Sequence, residues 1–113
     1  MATLGFGIEE GQDPDGVARL RLIGDLDLAV ADHLVTRLRV LVDRGTRVRI
    51  DVSRLEFIDS RGMHALIRAV VLGREAGGEA VEIDREVTAN VRHTLESAGV
   101  ARMLWPVATR AAP

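Results

Sequence analysis

The chain has 113 residues and a formal net charge of −2, with 47% hydrophobic and 28% charged residues. This composition is typical of a single globular domain that buries about two-thirds of its unfolded surface without metals or disulfides. The small net charge, with no cluster of arginines interleaved with aromatic residues, gives no reason to expect nucleic-acid binding. Because the chain has no cysteine, disulfides and thiolate zinc sites are excluded.

All 15 basic residues are arginine, since the chain contains no lysine. A P-loop needs a lysine that reaches the phosphates, and Schiff-base chemistry needs a lysine amine, so both are excluded. No apolar run approaches the roughly 18 residues of a membrane span, and no basic-then-apolar signal opens the chain. We therefore expect a cytoplasmic protein with no membrane span.

The N-terminal half predicts a hairpin, a helix and a buried strand. Residues 3–9 alternate weakly and fit an edge strand, whereas residues 17–23 alternate apolar and charged side chains. The Pro-Asp-Gly sequence at 14–16 is typical of the tight turn that would join them. An apolar stripe with helical spacing follows over residues 29–45. The β-branched run at 48–52 then predicts a buried strand.

The C-terminal half continues the alternation of helices and strands. Apolar spacing predicts a helix over 60–76, a short strand over 79–83 and a third helix that begins near residue 87. Residues 103–105 lead into a last short strand, and residues 109–113 form a loose tail. We predict one α/β domain over the whole chain, with a four- to five-stranded mixed sheet, an N-terminal hairpin and three main helices.

A hydroxyl group falls at the start of the second predicted helix, in Asp59-Ser60-Arg61-Gly62. The first N–H groups of a helix lack partners and its dipole is positive there, so a phosphate on Ser60 would be tolerated. The alternative is that Asp59 or Ser60 is an ordinary N-cap. No residue pattern for an activated nucleophile accompanies Ser60, so it fits a kinase substrate and no enzymatic activity is predicted.

Four aspartates fall near the ends of predicted strands: Asp25, Asp27, Asp51 and Asp59. Two of them in contact would suit a metal or acid–base chemistry, and the alternative is that they are caps and loop ends. Three histidines fall on three different predicted helices: His33, His64 and His93. Because their spacing matches no metal-binding pattern, we predict no metal and no cofactor.

Three short segments occur in a set order along the chain. Gly24-Asp25-Leu26-Asp27 precedes the first helix, Asp59-Ser60-Arg61-Gly62 opens the second, and Glu96-Ser97-Ala98-Gly99-Val100 ends the third. This arrangement, from Leu4 to Trp105, resembles the STAS domain family, in particular the bacterial anti-sigma factor antagonists. In that family the corresponding segments are G-E-L-D-like, D-S-[ST]-G and L-x-x-[ST]-G-[LV]-like.

The resemblance implies a partner switch. The dephosphorylated protein would bind an anti-sigma factor that is also a serine kinase, which frees a sigma factor for transcription. Phosphorylation of Ser60 by that kinase would end the binding, and a serine phosphatase would reset it. The resemblance also implies which residues bind the partner: Asp27, Asp59, Ser60, Arg61, Gly62, Met63 and His64.

Two residues depart from the family pattern. Arg61 stands where the family usually has Ser or Thr, and its guanidinium would either pair with a phosphate on Ser60 or remain an exposed first-turn arginine. His64 stands where the family often has Gly and would alter the choice of kinase. The family also adds a C-terminal helix, for which residues 108–113 are too few.

Two alternative functions remain open at this stage. One is a structural STAS domain that scaffolds a larger assembly, with Ser60 serving only as a helix cap. The other is a small nucleotide-binding α/β protein that uses Asp27, Asp51 and Asp59, although the chain has neither a lysine nor a Gly-rich phosphate loop.

Overall fold

The computed structural model describes residues 2–5, 7–78 and 80–106 of the chain. Over these residues, five strands and four helices follow one another in this order: β1 (Ala2–Gly5), β2 (Ile8–Gln12), β3 (Ala18–Leu26), α1 (Leu28–Asp43), β4 (Val48–Ile58), α2 (Ser60–Glu75), β5 (Val81–Ile83), α3 (Ala89–Ser97) and α4 (Ala101–Leu104). The predicted α/β class, with an N-terminal hairpin and three main helices, is confirmed.

The strands form one mixed sheet in which spatial order equals chain order. β1, β2 and β3 are antiparallel, whereas β3, β4 and β5 are parallel and are joined by α1 and α2. The single edge strand predicted over residues 3–9 is two strands, because Gly7 adopts a positive φ of 76° and the chain reverses there. β4 is longer than predicted and extends to Ile58, because its backbone pairing with β3 continues to that residue.

Alternating side chains along the first part of β3 and of β4 separate an apolar face from a charged face of the sheet. Leu20 and Ile50 are register partners and are fully buried in the core that α1 and α2 cover. Arg21 and Asp51, one residue further along each strand, are also partners and lie on the opposite face. On the helix side, Arg37 of α1 binds Glu10 of β2 with two hydrogen bonds of 2.6 and 2.8 Å.

The C-terminal segment differs from the prediction. Met103 and Leu104, which we expected to lead into a last short strand, belong to α4, with local backbone hydrogen bonds such as Trp105 N–H to Ala101 C=O. A strand after residue 106 would lie outside the described residues. The Trp105 indole donates to the Ile83 carbonyl at 2.7 Å, so a side chain at the end of α4 contacts β5. The predicted tail at 109–113 lies outside the described residues.

The longest helices among the described residues, α1 and α2, have 16 residues each and carry several charged side chains. Neither these nor the shorter helices in that part of the chain combine the length and apolar character needed to cross a membrane.

Candidate functional site

Two strand-to-helix junctions lie side by side at one edge of the sheet. Leu26 and Ile58 are register partners at the ends of β3 and β4, so the next residues, Asp27 and Asp59, occupy equivalent neighbouring positions. Each aspartate is the N-cap of the following helix: Asp27 Oδ1 accepts from the Val30 N–H at 3.2 Å, and Asp59 Oδ1 from the Gly62 N–H at 2.9 Å. Asp27 therefore lies beside the start of α2.

Ser60 is the first residue of α2 and is exposed. Asp59 serves as the N-cap, so the fold does not need the Ser60 hydroxyl for this purpose. Within the described part of the chain, that hydroxyl makes no hydrogen bond. The first turn of α2 thus presents an accessible hydroxyl beside two carboxylates. We refer to Asp27, Asp59, Ser60, Arg61 and Gly62 as the helix-start site.

Gly62 fixes how closely α2 approaches the sheet. A Cβ atom at this position would lie 2.3 Å from the Leu26 carbonyl oxygen and 2.9 Å from Ile58 Cγ1. Any larger residue would therefore push the first turn of α2 away from the ends of β3 and β4. Gly62 thus keeps Ser60 beside Asp27. The reason is the close contact of Gly62 with the ends of β3 and β4, which the sequence alone does not show.

The other predicted partner-binding residues are divided between the core and the surface. Met63 is half-buried and packs against the hydrophobic core. Arg61 and His64 are exposed and line a groove between α1 and α2. Of these three predicted residues, Arg61 and His64 are accessible to a partner, whereas Met63 mainly contributes to packing.

Two exposed apolar side chains flank the helix-start site and were not predicted. Leu28, which follows Asp27, is 48% exposed, and Phe57, opposite Asp25 in the sheet, is 52% exposed. They are two of the four large hydrophobic residues exposed within the described ranges; the others are Val71 and Met103. The signal in the sequence was an apolar residue within two positions of each capping aspartate. Such side chains beside polar groups are typical of a protein-binding surface.

Asp51 lies far from this site, so its predicted position near a strand end is wrong. It stands within β4, seven residues before Ile58, and its side chain is 9% exposed. Its Oδ2 atom binds Arg19 Nη1 at 3.2 Å and Arg21 Nε at 3.1 Å. Because Asp51 is not brought together with Asp27 and Asp59, the proposed three-carboxylate nucleotide site is not formed.

Asp51 belongs to a network on the charged face of the sheet, which we call the ion cluster: Asp13, Arg19, Arg21, Arg49, Asp51 and Asp84. Arg19 joins three of its carboxylates, with contacts of 2.9 Å to Asp13, 3.2 Å to Asp51 and 3.1 Å to Asp84. Arg49 also binds Asp13. Each cation in the cluster therefore has an acidic partner from a distant part of the chain.

The ion cluster shifts the pKa values of its carboxyl groups in opposite directions. Burial alone would raise the pKa of Asp51, but hydrogen bonds from the Ser53 hydroxyl and amide and from Arg21 outweigh it and hold that pKa below its usual value of 3.8. Burial raises the pKa of Asp84, and the hydrogen bond from Arg19 only partly offsets this effect. The hydrogen bond from Arg19 is the main reason that the pKa of Asp13 is lowered.

The three histidines lie on separate helices: His33 on α1, His64 on α2 and His93 on α3. Among the described residues, no group of three His, Cys, Asp or Glu side chains is placed to hold a metal ion.

Comparison with known structures agrees with this architecture. An anti-sigma factor antagonist from Mycobacterium paratuberculosis superposes with a TM-score of 0.64 at 21% identity, covering 95% of this chain and 92% of that one. The Bacillus cell fate determinant SpoIIAA in its phosphorylated form gives 0.65 at 15% identity, with 85% and 86% covered. The STAS domain of an antisigma-factor antagonist from Rhodobacter sphaeroides gives 0.51 at 26% identity, with 75% and 87% covered.

Sequence comparison identifies the family directly. No curated protein sequence matches the chain. A family model described as "Mlab, STAS domain" matches residues 11–106, which is most of the chain and includes both capping aspartates and the start of α2. With an α/β fold shared with known anti-sigma factor antagonists, the chain belongs to the STAS domain family.

Proposed function

We propose that this protein is an anti-sigma factor antagonist whose partner binding is switched off by phosphorylation of Ser60. The observation that carries the proposal is an exposed serine hydroxyl that the fold does not use, at the start of a helix and flanked by exposed Leu28 and Phe57. The similarity to solved anti-sigma factor antagonists, one of them at 26% identity, supports it.

In the dephosphorylated state, the helix-start site offers polar and apolar side chains to the partner. Leu28 and Phe57 would lose their water on binding, which favours association by about 25 cal/mol per Å² of apolar area. The carboxylates of Asp27 and Asp59 each accept one capping hydrogen bond and can accept further ones from a partner. The partner would be an anti-sigma factor with serine kinase activity, and its occupation would release a sigma factor.

Phosphorylation would oppose that binding by electrostatics. A phosphoserine carries about −1.5 to −2 charges at neutral pH, and here it would stand beside the carboxylates of Asp27 and Asp59. Burying this extra charge in a protein interface costs several kcal/mol unless the partner neutralises it. The same phosphate would be exposed on the free protein, where a serine phosphatase removes it. The protein itself would work in the cytoplasm as a binding module in transcription regulation.

The proposal is tested with Ser60→Ala and Ser60→Asp baits in extracts of the native cell. Ser60→Ala should retain the kinase partner and resist phosphorylation, whereas Ser60→Asp should bind at least tenfold more weakly, which is about 1.4 kcal/mol. Quantitative pull-down and mass spectrometry of the ATP-treated wild type measure both effects. Ser97→Asp is the matched control, because Ser97 is also an exposed helical serine but lies at the end of α3.

Both Ser60 variants should melt within a few degrees of the wild type, since the side chain makes no hydrogen bond in the described part of the chain. Equal partner binding by Ser60→Asp and wild type, together with no phosphate at this position, would leave a STAS scaffold without a phosphoswitch as the function.

A further inference from the structure

A groove of about 500 Å³ runs between α1 and α2 and begins at the helix-start site. From α1 it is lined by Leu28, Asp32 and Val35, and from α2 by Arg61, His64 and Arg68. Apolar and basic side chains therefore share one open surface. Because the groove starts where α1 and α2 begin, a protein bound at Ser60 would extend into it.

The two arginines of the groove differ from those of the ion cluster. Arg61 and Arg68 are exposed, and neither forms an ion pair or hydrogen bond within the described part of the chain. By contrast, Arg19 and Arg49 each contact at least two carboxylates. Unpaired cations on one face of a helix are available to an external anion, whereas paired ones are not.

Helix geometry defines what the groove would bind. Arg61 and Arg68 are seven residues apart on α2, so their guanidinium groups follow one face with a separation of about 10 Å along the axis. The exposed Leu28 and the half-buried Val35 supply apolar contacts between the helices. Asp32 is the one acidic side chain that lines the groove among the described residues, so the lining is positive in a protein whose net charge is −2.

We propose that this groove selects its partner by receiving an acidic segment of that protein, with carboxylates for Arg61 and Arg68 and apolar side chains for Leu28 and Val35. The proposal rests on the proposed function for the identity of the partner, since the segment would belong to the protein that binds at Ser60. It adds a second contact that determines specificity, and the Arg68 part of that contact does not involve Ser60.

Arg68 separates this role from any contact with a phosphate. It lies eight residues after Ser60, about 12 Å along the helix axis, which is too far for its guanidinium to hold a phosphate on that serine. Arg61 is adjacent to Ser60 and is within reach of both a phosphate and a partner carboxylate. A change at Arg68 therefore tests the groove alone.

The test uses two synthetic helical peptides, one of glutamate and leucine and one with every glutamate replaced by lysine, titrated into isotope-labelled full-length protein by NMR. We expect the acidic peptide to bind and shift residues of the groove, and the lysine peptide to bind at least tenfold more weakly. Arg61→Gln and Arg68→Gln should each weaken the acidic peptide about threefold, as loss of an exposed ion pair does, and more at low salt.

Arg74→Gln is the matched control, because Arg74 is an exposed arginine of α2 that lines a different cavity beside Trp105. It should leave the affinity for the acidic peptide unchanged. Equal binding of the two peptides, no shifts with the acidic peptide, or equal weakening by Arg74→Gln would overturn the proposal. Arg68-dependent binding to anionic lipid vesicles without binding of the acidic peptide would overturn it as well.

The outcome is distinguishable from failure of the phosphoswitch. Titration of Ser60→Ala with the acidic peptide measures the groove without the phosphorylation site, and it should match the wild type. If the peptide binds while no kinase modifies Ser60, the groove stands and the switch fails. If Ser60 is phosphorylated while the peptide does not bind, the switch stands and the groove proposal fails.

Discussion

The helix-start site and the ion cluster use the same residue type in opposite ways. In the ion cluster, Asp51 is nearly buried and its carboxylate accepts from Arg19, Arg21 and Ser53. At the helix-start site, each aspartate accepts one backbone N–H within its own helix, and no arginine contacts it within the described ranges. The charges of the ion cluster hold strands together, whereas the carboxylates and the Ser60 hydroxyl of the helix-start site remain accessible.

The difference indicates where a binding function can be located in this fold. A carboxylate enclosed by cations of its own chain cannot offer that charge to a partner without leaving those cations unpaired. A carboxylate that only caps a helix keeps most of its acceptor capacity. Variants in the two regions should therefore separate folding from binding.

Gly62→Ala should disturb both folding and binding at the helix-start site. The added methyl would meet the Leu26 carbonyl at 2.3 Å, and we expect the free energy of unfolding to fall by about 3 kcal/mol. Chemical denaturation measures this loss, and partner pull-down below the unfolding transition measures binding. Gly73→Ala is the control: its methyl would meet Val81 Cβ at 2.9 Å, so it should destabilise α2 and spare the partner. Unchanged stability and partner binding in Gly62→Ala would show that this close packing is not required.

Asp51→Asn should disturb folding and leave binding intact. Removing the charge leaves Arg19 and Arg21 without their shared partner, at a cost of about 2–3 kcal/mol because both arginines retain some contact with water. Partner affinity and Ser60 phosphorylation should be unchanged when measured well below the melting temperature. A loss of binding in the folded Asp51→Asn protein would contradict the separation of the two regions.

The pH dependence of stability provides a second measurement on the same variant. Because the pKa of Asp51 is lowered on folding, its contribution is fully present above its unfolded value of 3.8 and is lost as the pH falls through the folded value. The raised pKa of Asp84 acts oppositely, since its cost at neutral pH is relieved as that group is protonated. Asp51→Asn should thus lose less stability than the wild type as the pH falls below 3.8. If the unfolding free energies of the two proteins fell in parallel with pH, Asp51 would not be the source of this pH dependence.

Asp27→Ala should weaken binding more than folding. Loss of the cap of α1 costs about 1 kcal/mol, but the same carboxylate lies beside the start of α2. We expect partner binding or Ser60 phosphorylation to fall at least fivefold. Thr88→Ala is the control: Thr88 caps α3 in the same manner and also donates to the Leu55 carbonyl, so its loss should cost at least as much stability without affecting the partner. Equal binding by both variants would leave Asp27 as a cap only.

Arg61→Ala should give the smallest effect on stability, seen only when Ser60 is phosphorylated. An exposed contact between Arg61 and a phosphate on Ser60 is worth about 0.5–1 kcal/mol and should fade with salt. The measurement is the change in unfolding free energy on phosphorylation, compared between wild type and Arg61→Ala at low and high salt. Identical changes in both proteins would show that Arg61 has no role in holding the phosphate.

Local patterns in the sequence determined the elements of this fold and the position of the candidate switch. The alternation over residues 17–23, the helical stripe of α1 and the glycine that ends α3 act over a few residues, so they were predictable. The location of Ser60 at the start of a helix follows from the same local signals. Met103 and Leu104 are helical where we expected an approach to a strand, because a short apolar segment suits a strand and a helical turn equally, and contacts such as that of Trp105 with β5 decide between them.

Only the tertiary structure decided which aspartates are structural and which are accessible. Asp51 and Asp59 follow similar apolar runs, and nothing local indicates that Arg19 and Arg21, some 30 residues earlier, enclose one of them. The register of β3 against β4 places Asp27 beside the start of α2, and the packing of α1 on α2 creates the groove with Arg61 and Arg68. These features depend on pairing between residues distant in the chain, which a pattern of neighbouring residues does not record.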